Sequence, residues 1–99
     1  MTIYYKAIFP DGSILTRSTA SRTYSHGWLA KGYHGPLNEQ WPAGNWQSDG
    51  FSGSEELARK ALKAADRFDP RYTTNFRGTA PAVEITAAEY RALKQEARQ

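Results

Sequence analysis

The sequence predicts a small α+β protein whose 99 residues fold as a single domain, 1–99. Three features predict it. Residues 3–9 alternate as a strand does. Two later stretches open on helix-capping residues and continue with apolar stripes at helical spacing. Between them lies a segment, 31–53, too rich in glycine, proline and rings for either pattern. The expected architecture is an antiparallel β-hairpin or three-stranded meander packed against one main helix, with a short late strand and a C-terminal helix.

The elements follow in order. Ile3, Tyr5, Ala7 and Phe9 share one face of a strand, with Tyr4, Lys6 and Ile8 on the other. Pro10-Asp11-Gly12-Ser13 has turn chemistry: proline pre-sets φ, aspartate bonds the backbone ahead, and glycine accepts positive φ. The return strand, from Ile14 to about Ser21, turns polar quickly and suits a sheet edge. Arg22 to Ala30 is a candidate third strand, weakened by Gly27.

Residues 31–53 hold five glycines, two prolines and two tryptophans in 23 residues. Disordered linkers are poor in rings, so this segment is expected to be an ordered irregular loop that forms a lid or a recognition surface, with a short strand within 45–51. Ser52, with Glu55 three residues on, spells a capping box. The apolar stripe Leu57, Ala58, Ala61, Leu62, Ala65 and Phe68 then predicts a helix, lined outside by Glu55–Arg59 and Glu56–Lys60 and stopped at Asp69-Pro70. Residues 71–81 are expected to form a polar loop and 82–85 a short strand. Thr86-Ala-Ala-Glu89 is a second capping box opening a helix to about Arg98. Its Tyr90, Leu93 and Ala97 share a face, and Arg91, Lys94 and Arg98 form a basic stripe.

Composition bounds the function. No cysteine is present, which excludes disulfides and thiolate metal sites and leans toward the cytoplasm. The N-terminus lacks a signal-peptide layout, and no apolar run approaches the roughly 20 residues of a membrane span. The net charge of +3 sits wholly within residues 1–35, where Lys6, Arg17, Arg22 and Lys31 face Asp11 alone. That placement suits an anionic contact.

Three candidate constellations emerge. If 16–26 is one extended strand, Arg22, Tyr24 and His26 share a face, and with Arg17 they offer guanidinium forks and an imidazole to a phosphate or carboxylate. His26 and His34 lack the spacing and the third ligand of a metal site, so no metal or cofactor is expected. Ser25 and His26 are adjacent, and strand alternation is expected to hold them apart, so no catalytic nucleophile is assigned. The rings Trp28, Tyr33, Trp41, Trp46 and Phe51 divide between core and surface, and the exposed ones suit a binding hot spot or a base-stacking platform.

The run YYKAIFPDGSILTRSTASRTYSHGW and the later FSGSEELARKAL resemble a pattern of small phage-encoded accessory proteins. That class includes inhibitors of host defence such as anti-CRISPR proteins. The resemblance implies an accessory protein of a phage or mobile element and brings no catalytic residues.

The leading expectation is a non-enzymatic binding protein, monomer or homodimer, that docks on a host protein or nucleoprotein complex without membrane contact. Tyr33, Trp41 and Trp46 would anchor it, and Arg17, Arg22, Tyr24, His26 and Lys31 would complete the contact. Two alternatives stand beside it. One is a weakly basic nucleic-acid-binding module. The other is a small enzyme or ligand-binding protein using His26 and Arg22 on a phosphorylated substrate.

Overall fold

The computed structural model describes residues 2–65 and 71–97. It is a coiled, barrel-like antiparallel sheet carrying two short helices. The strands are β1 (Ile3–Ile8), β2 (Ile14–Thr19), β3 (His26–His34), β4 (Gly44–Ser52) and β5 (Tyr72–Ile85). Helix α1 (Glu55–Ala64) lies between β4 and β5, and α2 (Ala87–Ala97) follows β5. The spatial order is β2-β1-β5-β3-β4, with every neighbour antiparallel.

The β1–β2 hairpin forms for the reasons its sequence gives. Phe9 and Ser13 close the turn with a 2.9 Å backbone hydrogen bond, and the Ser13 amide donates to the Asp11 carboxylate at 3.1 Å. Gly12 takes φ +93°, a region that disfavours side chains. β2 is a sheet edge, as its polarity predicts.

The long strand β5 organises the rest. Its residues 72–81 pair with β3, and 82–85 pair with β1. β1 and β3 therefore converge where β5 changes partner. A Cβ placed on Gly27 of β3 would lie 2.8 Å from the Cβ of Ala7 on β1. At the hairpin tip Asp11 reaches Lys31 of β3 in a 2.8 Å ion pair. The sheet thus curls over its own inner face. Ala7, Phe9, Leu29 and Ala80 are buried there, with Leu15, Phe51 and Phe76 packed around them. Phe9 and Phe76 meet edge-to-face at 5.9 Å. Burying Phe9 and Leu29 contributes roughly 1.5–3 kcal/mol each.

Helix α1 crosses β3 and touches β4 and β5. Its buried Ala58, Leu62 and Ala65 stand apart from the Phe9–Leu29 cluster, and Ala30, which points away from Leu29, is buried too. So α1 covers the outer face. The Ser54 hydroxyl caps it by accepting from the Leu57 amide at 3.2 Å. α2 docks on β1 and β2 through Tyr90 on Tyr4, with ring centres 4.7 Å apart, and through Glu89 on Lys6 at 3.4 Å. No helix among the described residues is long and apolar enough to cross a membrane.

Several expectations are corrected. The protein is mainly antiparallel sheet with two short helices, and not a hairpin packed on a main helix. The 31–53 segment is regular for most of its length: it supplies the end of β3 and all of β4 and leaves only 35–43 as a connection. Of residues 71–81, expected as a loop, 72–81 belong to the longest strand. Both segments are polar because one of their faces is solvated, and only pairing with distant partners makes them strands. The cap of α1 is Ser54 rather than Ser52, because the chain is still in β4 at Ser52; position N3 is then Leu57, and no capping box forms. The Glu55–Arg59 and Glu56–Lys60 pairs form as expected, at 2.6 and 3.8 Å. The Thr86 hydroxyl caps α2 by accepting from the Glu89 amide at 3.1 Å. Phe68, the Asp69-Pro70 stop and Arg98 of the basic stripe lie outside the described residues.

Candidate functional site

The eight residues singled out in the sequence do not form one surface. β3 and β4 pair from His26↔Ser52 at one end to His34↔Gly44 at the other. Eight residues of strand put those ends roughly 25 Å apart. Tyr33, Trp41 and Trp46 belong to the His34–Gly44 end, and Arg17, Arg22, Tyr24 and His26 to the His26–Ser52 end. Lys31 lies between them.

At the His34–Gly44 end an aromatic chain crosses the sheet. Tyr33 stacks on His34, His34 meets Tyr72 with ring centres 5.6 Å apart, and Tyr72 meets the edge of Trp46 at 6.1 Å. The Trp46 indole N–H donates to the Thr73 carbonyl at 3.0 Å. A bulge in β5 opposite Lys31 and Gly32 shifts the ladder register. Gly32 is obligatory there, because any Cβ would overlap the Thr73 carbonyl. An open groove of about 380 Å³ lies beside it, lined by Lys31, Gly32, Asn45, Trp46, Gln47 and Asn75.

The 35–43 connection closes this end. The Asn38 side chain accepts from the Gln40 and Trp41 amides at 2.8 and 3.0 Å, and Leu37 N–H donates to the Trp41 carbonyl at 3.0 Å. The Arg71 guanidinium donates to the Leu37 carbonyl at 3.1 Å and ties the loop to β5. On this braced loop Trp41 is 63% exposed, and Tyr33 at the nearby strand end is 47% exposed.

The opposite end is packed. Tyr24 is buried, edge-on to Tyr5 at 5.5 Å and tilted on Phe51 at 5.7 Å. Arg17 lies over its ring, 5.6 Å from the centre. Tyr24 is therefore a core residue, not a contact anchor. The expected 16–26 strand does not exist: β2 stops at Thr19 and β3 starts at His26. Arg22 lines a cleft of about 440 Å³ with Thr23, Tyr24, Phe51, Ser52 and Leu57. His26 does not line it, so strand periodicity gave the wrong companion to Arg22. The Ser25 hydroxyl and His26 Nδ1 are 2.9 Å apart, contrary to expectation, because Ser25 precedes β3 and escapes strand alternation. Among the described residues no carboxylate orients that imidazole.

Lys31 has an internal role. Its ammonium contacts the Asp11 carboxylate at 2.8 Å and the Ser13 hydroxyl at 2.6 Å, pinning the hairpin tip to β3. That hydrogen bond, helped by Ser13 and opposed by desolvation, lowers the Asp11 pKa from 3.8 to about 2. Sequence reading missed Tyr72, which sat in the expected loop, and Leu57, assigned to the buried stripe but 53% exposed. No sequence-local signal marks Tyr72, whose place follows from its pairing opposite His34.

No protein-family model, curated protein or solved structure matches this chain.

Proposed function

We propose that the chain is a non-enzymatic binding protein whose contact surface is the aromatic end of the β3–β4 ladder. The observation that carries this reading is Trp41, an indole 63% exposed on a loop braced by its own hydrogen bonds. A loop whose backbone is already ordered loses little conformational entropy on binding, and exposed tryptophans are typical anchors of protein interfaces. Tyr33 and the groove beside Trp46 extend the surface. A protein partner is favoured over nucleic acid, because Lys31, the cation expected to track a phosphate backbone here, is engaged by Asp11. Inhibition of a host defence complex is the specific role suggested by the resemblance to phage accessory proteins, and a rigid aromatic face suits it.

A photo-crosslinking residue at position 41, compared with one at Lys63 on α1, tests the reading. The expected result is a discrete crosslinked protein from position 41 only, whose binding weakens at least tenfold in Trp41→Ala. Identical products from both positions, or unchanged binding by Trp41→Ala, would overturn it.

A further inference from the structure

We propose that the cleft between the 20–25 turn and the first turn of α1 binds an apolar carboxylic acid. Arg22 would be the counter-ion, and Phe51 and Leu57 the wall against its hydrocarbon group. The cleft is at the end of the sheet opposite Trp41 and stands independently of the role given to that residue.

Two observations meet here. The first is charge. Lys6, Lys31, Arg59 and Lys60 each have a carboxylate partner. Arg17 and Arg22, like Lys63, Arg91 and Lys94, have none among the described residues; Arg17 lies over the Tyr24 ring, and Arg22 lines the cleft that Tyr24 also lines. The Arg22 carbonyl accepts from the Tyr5 hydroxyl in a long 3.5 Å contact, and its amide donates to the Thr19 hydroxyl at 3.1 Å. The backbone that presents this guanidinium is therefore held from two sides. Arginine offers a fork matched to a carboxylate.

The second is apolar exposure. Leu57 is 53% exposed on a helix whose other core-facing side chains, Ala58 and Leu62, are buried. It borders the cleft beside Phe51 and Tyr24. Thr23 and Ser52 also line it. The volume of about 440 Å³ falls in the range of small-ligand sites, about 300–1,000 Å³.

The combination selects the ligand class. A phosphate would use the guanidinium and leave the apolar wall wet. A neutral hydrocarbon would leave the cation unmatched. A monoanion joined to a leucine-sized group uses both. Glu55 and Glu56 precede Leu57, but Arg59 and Lys60 hold them, which limits their repulsion of an incoming anion. The same chemistry occurs in free amino-acid derivatives and at the C-terminus of a polypeptide.

Titration followed by amide NMR decides the matter. N-acetyl-leucine should shift the Thr23, Gly53 and Leu57 amides saturably, and N-acetyl-leucinamide and inorganic phosphate should bind at least about tenfold more weakly. Arg22→Gln should lower the affinity for N-acetyl-leucine by about tenfold or more with the remaining spectrum unchanged. Leu57→Ser should weaken it less, and should spare acetate. A short peptide ending in a free leucine separates the sources: tighter binding than N-acetyl-leucine assigns the cleft to chain termini, and equal binding to small acids. Equal affinity for acid and amide, or no effect of Arg22→Gln, would overturn the proposal.

Discussion

The two ends of the β3–β4 ladder are built from the same residue types and do opposite things. At the His26–Ser52 end, Tyr24 and Phe51 pack into the core, because β1 and the 20–25 turn fold against β3 and close over them. At the His34–Gly44 end, beyond the residues that pair with β1, Tyr33 and Trp41 stay exposed. Exposure here is set by how far the neighbouring strand extends, not by the hydrophobicity of the residue.

Substitutions at each end test this contrast. The largest effect is expected from Phe9→Ala, which opens a cavity in the core between Leu29 and Phe76, under the covered part of the ladder, and should cost about 3–5 kcal/mol in urea unfolding. Gly32→Ala should come next, at about 3 kcal/mol, because its methyl group collides with the backbone of the β5 bulge. Hydrogen exchange in this variant should accelerate first in 31–34 and 72–75. Loss of protection spread evenly over the sheet would mean that the two ends unfold together. Trp46→Ala removes the bond to Thr73 and the contact with Tyr72, for about 1–2 kcal/mol. Trp41→Ala should change stability by less than about 0.5 kcal/mol while weakening the proposed partner contact at least tenfold. A large loss of stability at Trp41 would show that its ring supports the loop rather than presenting a surface.

The link between the two ends has a pH signature. The Asp11 pKa is lowered in the folded state, so its stabilising contribution is complete above the unfolded value of 3.8 and disappears as pH falls through about 2. Acid unfolding followed between pH 4 and pH 2 should show this component in the wild type. Asp11→Asn should lack it, and Lys31→Met should largely remove it. An unchanged acid profile in Asp11→Asn would mean that the pair does not hold the hairpin tip.

Legibility from sequence followed the range of the interactions. The Pro10–Ser13 turn, the edge character of β2, the ion pairs along α1 and the Thr86 cap were readable because each depends on residues within four positions. β5 was not. Thr73, Thr74 and Arg77 carry no apolar alternation, and they are strand residues only because β3 pairs with them across roughly 40 positions of sequence. The site divided the same way. The rings of 31–53 pointed to an ordered segment, which the structure shows as the end of β3 and all of β4 and not as an irregular loop. The grouping of Arg22 with His26 failed because it assumed a strand across a turn, while the contact that does form, Arg17 over Tyr24, is tertiary.

Sequence alone determined the hairpin, both helices, the order of charged pairs along α1 and the presence of anchored rings near the middle of the chain. The tertiary structure decided that the sheet coils, which rings it covers and which it leaves bare, and that Arg22 shares a cleft with Leu57. The physical reason is that local propensity fixes backbone conformation over a few residues, whereas burial depends on which distant strand comes to lie alongside, and here that was set by a single long strand changing partner at Pro81 and Ala82.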